Sequence, residues 1–185
     1  MYMVSSILKK AWVNLSLSML FIFVFSFDIR AQKISKYYIS SLQQRGTLYF
    51  IHSHLAFKAK RNRATFTYDI TYLSSSDSAL VNFSYYEPIN QNISAIDSVQ
   101  FIYSDHIITS NAKKIFIEPK KKYWQYRYSL NFLFKDLNKL YFQDNPPRVI
   151  LYRQKKSVEL NVSKQIWQRQ ASIIQRIFAL IESNR

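Results

Sequence analysis

The chain contains no cysteine and a single glycine, and both absences restrict its chemistry. Without cysteine it has no disulfide, no thiolate metal site, no catalytic thiol and no lipid-modified cysteine. With Gly46 alone, the glycine-rich phosphate loops of nucleotide-binding proteins and the Gly-x-Ser-x-Gly turn of serine hydrolases are excluded. No reaction-specific motif is left in the sequence, and no cofactor is expected.

Acidic residues are scarce as well. The 185 residues include 26 Lys and Arg against 11 Asp and Glu, which gives a formal net charge of +15 at pH 7. A positive excess of this size attracts polyanions. Aromatic residues are abundant, with 14 Tyr and 14 Phe, and this composition favours β-strands and argues against disorder.

Residues 1–31 have the pattern of an export signal. Lys9 and Lys10 precede an apolar run over residues 11–27, and Ala31 ends a cleavage site before Gln32. The alternative is an uncleaved N-terminal anchor, because the run approaches the length of about 20 residues that spans a bilayer. Both interpretations place residues 32–185 outside the cytoplasm, as one periplasmic, envelope-associated or secreted β-rich domain.

Hydrophobic alternation with a period of two predicts about eight strands. The clearest is the stretch 124–134, whose apolar side chains share one face and are expected to be buried, while Gln125, Arg127 and Asn131 are expected to be more exposed. That apolar face consists of Trp124, Tyr126, Tyr128, Leu130, Phe132 and Phe134. The other predicted strands cover residues 47–58, 64–73, 79–86, 97–103, 113–118, 149–153 and 158–162.

Helical periodicity predicts two or three helices. The first covers residues 36–45, with Ser35 as its N-cap and Gly46 just after its end. A short second helix is expected to be capped by Asp136. The third begins after Ser163 and runs to about residue 183, with a buried stripe on one face. That stripe is predicted to contain Ile166, Ile173, Ile174, Ile177 and Ile181.

The predicted fold class is therefore α+β and mainly β. We expect a single antiparallel meandering sheet of about eight strands, with the C-terminal amphipathic helix packed against it. Both a barrel-like sheet and a sandwich fit the pattern. Parallel βαβ topology does not fit, because helices do not alternate with strands.

The basic residues cluster in three predicted turns, which would form a strong positive field if they lay at one end of the sheet. Lysine-rich turns also serve solubility and block edge pairing, so the pattern has a purely structural interpretation too. The residues predicted to form a ligand-binding basic patch are Lys58, Lys60, Arg61, Arg63, Lys120, Lys121, Lys122, Arg127, Lys155 and Lys156.

His52 and His54 are weak candidates for a metal site. They are two residues apart on a predicted strand, so both imidazoles leave the same face. A metal site needs a third ligand, and His106 is the only other histidine. We therefore predict no metal site.

The composition favours a non-enzymatic exported domain that binds an anionic or amphipathic ligand or has a structural role in the cell envelope. Expected partners are an anionic lipid, a polysaccharide or an acidic envelope protein, and no nucleic acid, because no nucleic-acid motif is present. The alternative is a small extracytoplasmic hydrolase that uses a carboxylate pair, although nothing in the spacing of the carboxylates selects a pair.

Overall fold

A computed structural model describes residues 34–60, 63–90, 93–154 and 156–184. All of the described strands and α-helices belong to one unit, Tyr37–Arg185. The predicted export signal at residues 1–31 lies outside the described residues. Among the described helices, none combines the length and the apolar character needed to cross a bilayer.

Ten strands and two α-helices follow one another along the described chain, after a 3₁₀ turn at Ser35–Tyr37. The first strands are β1 (Tyr38–Gln43), β2 (Gly46–Lys58), β3 (Thr65–Leu73), β4 (Ser78–Pro88), β5 (Ser98–Tyr103) and β6 (His106–Asn111). They are followed by β7 (Lys113–Lys120), β8 (Tyr123–Leu133), α1 (Phe134–Tyr141), β9 (Arg148–Arg153), β10 (Lys156–Leu160) and α2 (Lys164–Ser183).

The strands form two antiparallel sheets. The first has the order β1-β2-β3-β4-β8-β7 and the second the order β10-β9-β5-β6. Ala112 alone separates β6 from β7, so the chain passes from the second sheet to the first at this residue. The prediction of a mainly β chain with a C-terminal helix is confirmed, but the prediction of one sheet with about eight strands is wrong. The strands that the sequence did not predict are β1 and β6.

The predicted helix at residues 36–45 is wrong, because most of this segment forms β1. Gln43 pairs with Gly46, so the two residues between them make a tight hairpin turn into β2. Gly46 has φ +129°, and a Cβ at this position would lie 2.5 Å from Ser74 Oγ. The glycine is therefore required by a hairpin and a close contact with the β3–β4 turn, and it does not end a helix.

The core lies between the two sheets and beneath the helices. The ring of Phe101 on β5 is centred 5.9 Å from Tyr68 on β3 and 5.7 Å from Phe132 on β8, so it joins the inner faces of both sheets. The alternation predicted for β3 is confirmed, and in β8 the inner residues from position 126 to 132 are buried. Two details of β8 differ from the prediction, because Trp124 is partly exposed and Gln125 is buried.

Both helices pack against the end of the core formed by β2 and β3. Tyr141 on α1 stacks on Trp167 on α2, with ring centres 5.3 Å apart, and its hydroxyl bonds the hydroxyl of Tyr68. Ser163 caps α2 as predicted and accepts the N–H of Ile166. Asp136 lies in the first turn of α1 and does not cap it. The buried stripe of α2 is also rotated from the predicted one, and consists of Trp167, Gln170, Ala171, Ile174, Ile177, Phe178 and Ile181.

Candidate anion-binding surface

Two of the three basic turns lie at the same end of the first sheet. β2 ends and β8 begins at this end of the sheet, so the β2–β3 turn and the β7–β8 turn both lie there. The strand register shows this directly, because one row of paired residues runs across all five strands from β2 to β7 close to this end. These partners are Lys58, Thr65, Tyr86, Gln125 and Glu118. Only β4 separates β3 from β8, and neighbouring strands are about 4.8 Å apart.

The third turn, between β9 and β10, belongs to the second sheet and is held at this end by a buried ion pair. Arg153, the last residue of β9, donates from Nη1 and Nη2 to the two carboxylate oxygens of Glu87, at 2.7 and 2.6 Å. Glu87 is next to Pro88, the last residue of β4. The fold therefore brings all three turns to one end of the molecule.

We call this surface the basic end and define it by its exposed described cations, which are Lys58, Lys60, Arg63, Lys120, Lys121, Lys122 and Lys156. Among the described residues, none of these seven forms an ion pair. Three exposed carboxylates lie nearby, those of Glu118 near the end of β7, Asp97 before β5 and Glu159 on β10. Asp97 accepts the backbone N–H of Gln154 in the third turn. The charge of the basic end is therefore strongly positive.

Three of the residues predicted for this patch do not contribute to the described surface. Arg61 and Lys155 lie outside the described residues. Arg127 belongs to β8 and lies away from the turns, where it donates to Ser84 Oγ at 3.0 Å and to Asp69 Oδ2 at 3.4 Å. The Arg127 guanidinium is therefore bound by Ser84 and Asp69 on the outer face of the first sheet. Arg127 does not belong to the patch formed by the turns.

Two tyrosines beside the Glu87–Arg153 pair add hydrogen bonds to it, while the buried Nε of Arg153 has no hydrogen-bond partner among the described residues. Tyr126 donates to Glu87 Oε1, and Arg153 Nη2 donates to the hydroxyl of Tyr85 at 2.8 Å. The guanidinium carbon of Arg153 also lies 4.9 Å from the ring centre of Tyr85 and 5.4 Å from that of Tyr126. This buried cluster connects the two sheets directly behind the basic end.

Burial and the neighbouring charges shift the pKa values in this cluster. Burial raises the pKa of Tyr85 to about 12, because an ionised phenolate loses its hydration in the core. Burial also raises the pKa of Tyr126, and its hydrogen bond to Glu87 adds to this. Burial alone would lower the pKa of Arg153, but its hydrogen bonds to Glu87 and the nearby tyrosines hold this pKa above the ordinary value. The guanidinium therefore stays charged.

Sequence reasoning missed Glu87, Tyr85 and Tyr126 as members of a cluster. A signal was present in β4, where Glu87 continues the alternate positions whose side chains are buried, so a buried charge there required a partner. The partner could not be identified, because Arg153 is 66 residues away in sequence.

The two histidines proposed as weak metal ligands lie on the outer face of β2. A β-bulge interrupts the register between His52 and Ala56, and His54 has φ +48° within it. The rings of His52 and His54 are centred 6.4 Å apart, and His52 Nδ1 lies 3.4 Å from Asp69 Oδ1. In the described parts of the chain, no group of three or more His, Asp or Glu side chains is arranged to hold a metal ion.

A groove of about 720 Å³ lies at the opposite end of the first sheet, beside α1. Its lining includes two carboxylates, Asp77 and Glu182, and two amines, Lys135 and Lys139. Asn138 Nδ2 donates to Glu182 Oε1 at 2.8 Å. The hydrolase alternative stays a prediction, and Asp77 and Glu182 are two carboxylates that line this groove together.

Comparison with protein-family models, with curated proteins and with solved structures finds no match for this chain.

Proposed function

We propose that this protein is a non-enzymatic, exported domain that binds an anionic ligand or surface through the basic end. One observation carries the proposal: three turns from two sheets meet at one end and present seven exposed cations that form no ion pair within the described residues. Uncompensated charges gathered in this way attract anions over a distance of about 10 Å at 0.1 M salt.

Each of the three turns contains one residue in the left-handed backbone region. Arg63, Lys121 and Gln154, one in each turn, have φ between +48° and +57°. Glycine adopts this left-handed region without steric cost, whereas other residues are strained by roughly 1–2 kcal/mol. His54 in β2 and Ser104 in the β5–β6 turn share this conformation, so the strain is not confined to the basic end.

The first prediction tests anion binding with an acidic polysaccharide. Replacing Lys120, Lys121 and Lys122 by Gln is expected to weaken binding to heparin at least about tenfold, since each exposed contact contributes about 0.5 kcal/mol or more. Binding by the unchanged protein is expected to fall steeply with salt. Isothermal titration at several salt concentrations measures both effects.

A control variant removes the same number of charges elsewhere. Lys135, Lys139 and Arg176 are exposed on α1 and α2, outside the basic end, and their replacement by Gln is expected to leave heparin affinity nearly unchanged. Lys121→Gly adds a second control, because it relieves the positive φ and should weaken binding without lowering the melting temperature. Equal loss of affinity in both triple variants would reduce the proposal to non-specific attraction by net charge.

A further inference from the structure

Two large apolar side chains are exposed at the tip of the β7–β8 hairpin, beside its lysines. Tyr123, the first residue of β8, is 42% exposed, and Ile89, which follows β4, is 45% exposed. Tyr123 is the register partner of Pro88, and the backbone N–H of Ile89 donates to the carbonyl of Lys122 at 3.1 Å. The two side chains therefore belong to one local patch with the three lysines of residues 120–122.

The apolar residues in this patch favour an anionic bilayer surface over a water-soluble polyanion. A water-soluble polyanion contacts the lysines, but an isoleucine that stays in water contributes nothing to its affinity. At a bilayer surface each residue type has a place: lysines meet the lipid phosphates, a tyrosine ring lies at headgroup level, and an aliphatic side chain leaves water. The next residue, Trp124, is partly exposed and belongs to the same class of interfacial side chain.

We propose that the basic end docks on a bilayer surface with anionic headgroups, with Ile89 and Tyr123 inserted at headgroup level and residues 120–122 at the lipid phosphates. This inference rests on the anion-binding function proposed above and names the source of the anions. Arg63 and Lys156, in the two neighbouring turns, add attraction that acts within about 10 Å of the charged surface.

The absence of cysteine allows a direct test on the full chain, because a single introduced cysteine carries a label at one chosen position. An environment-sensitive fluorophore on Ile89→Cys is expected to shift its emission to the blue when phosphatidylglycerol vesicles are added. The same label on Ile107→Cys is the matched control, since Ile107 is 60% exposed but lies in β6. Its emission should stay unchanged, and phosphatidylcholine vesicles should shift neither label.

The lysines are tested in the same labelled protein. With Lys120, Lys121 and Lys122 replaced by Gln, the phosphatidylglycerol concentration that gives the half-maximal shift of the label at position 89 should rise at least about tenfold. The reason is that each lysine near an anionic surface adds to the attraction. High salt should reverse the shift.

The outcomes separate this inference from the proposed function. If the label at position 89 does not respond to phosphatidylglycerol vesicles while heparin binding depends on the lysines, the bilayer is the wrong partner and anion binding stands. An equal response at positions 89 and 107 would place the contact on another surface and overturn the inference. If neither heparin nor vesicles bind, both proposals are wrong.

Discussion

Glu87 and Arg153 are the residues on which the geometry of the basic end depends most. Their side chains are buried, and they connect the end of β4 to the end of β9. A buried ion pair is not in itself strong evidence of stability, because removing two charges from water is costly. It does restrict the geometry, since the two hydrogen bonds from Arg153 to Glu87 form only when the end of β9 lies next to the end of β4. The third basic turn therefore has a defined position.

The second prediction concerns this pair. Glu87→Ala leaves the guanidinium of Arg153 buried without its partner, and is expected to lower the free energy of unfolding by about 3–5 kcal/mol. Replacing both residues, Glu87→Leu with Arg153→Met, should recover much of this loss because no buried charge remains. Urea denaturation followed by circular dichroism measures both variants. If the Glu87→Ala variant were as stable as the parent protein, the Arg153 guanidinium would have to be hydrated by solvent and not buried.

Whether an element was predictable from the sequence depends on whether the fold covers one of its faces. β3 and β8 each have one covered face, so the predicted alternation is correct throughout β3 and from residue 126 to residue 132 of β8. β1 is an edge strand in which every residue but Tyr38 is exposed, so its sequence carries no alternation, and the spacing of Tyr38 and Leu42 suggested a helix instead. The convergence of the three turns was not predictable, because it depends on β4 pairing with β8 and on the long-range contact of Arg153.

The third prediction concerns the face of α2. Ile177 is fully buried, whereas Ile166, which sequence periodicity assigned to the same stripe, is 42% exposed. Ile177→Ala is expected to cost about 2–5 kcal/mol because it leaves a cavity in the core. Ile166→Ala is the matched control and should change stability by less than about 0.5 kcal/mol. Similar losses from both variants in denaturant titrations would contradict the observed rotation of α2.

At the scale of the whole molecule, tyrosine protonation links stability to alkaline pH. Burial raises the pKa of five described tyrosines, namely Tyr68, Tyr85, Tyr103, Tyr126 and Tyr141. In the unfolded chain a tyrosine ionises near pH 10, but in the folded protein these phenols keep their protons to higher pH. Between these values the unfolded state binds fewer protons than the folded state, so stability falls as the pH rises.

The fourth prediction follows from this linkage. The free energy of unfolding should be insensitive to the tyrosines below pH 10 and should decrease steadily between pH 10 and about 12. The tyrosinate absorbance of the five buried tyrosines should appear together with the loss of tertiary structure, because these phenols ionise on unfolding. Tyr85→Phe should make the decrease shallower. Tyrosinate formation by all of the tyrosines in a protein that is still folded would contradict the burial that we describe.

The connection at Ala112 has a consequence for the order in which the chain folds. The second sheet takes β5 and β6 from one part of the chain and β9 and β10 from another, and β7, β8 and α1 lie between them. Contacts between such distant segments slow folding, because a long loop must close before they form. Until β9 joins β5, the Glu87 carboxylate has no guanidinium partner, and the third turn has no place beside the other two. The basic end is therefore expected to be among the last parts of the molecule to assemble, after most of the chain is in place.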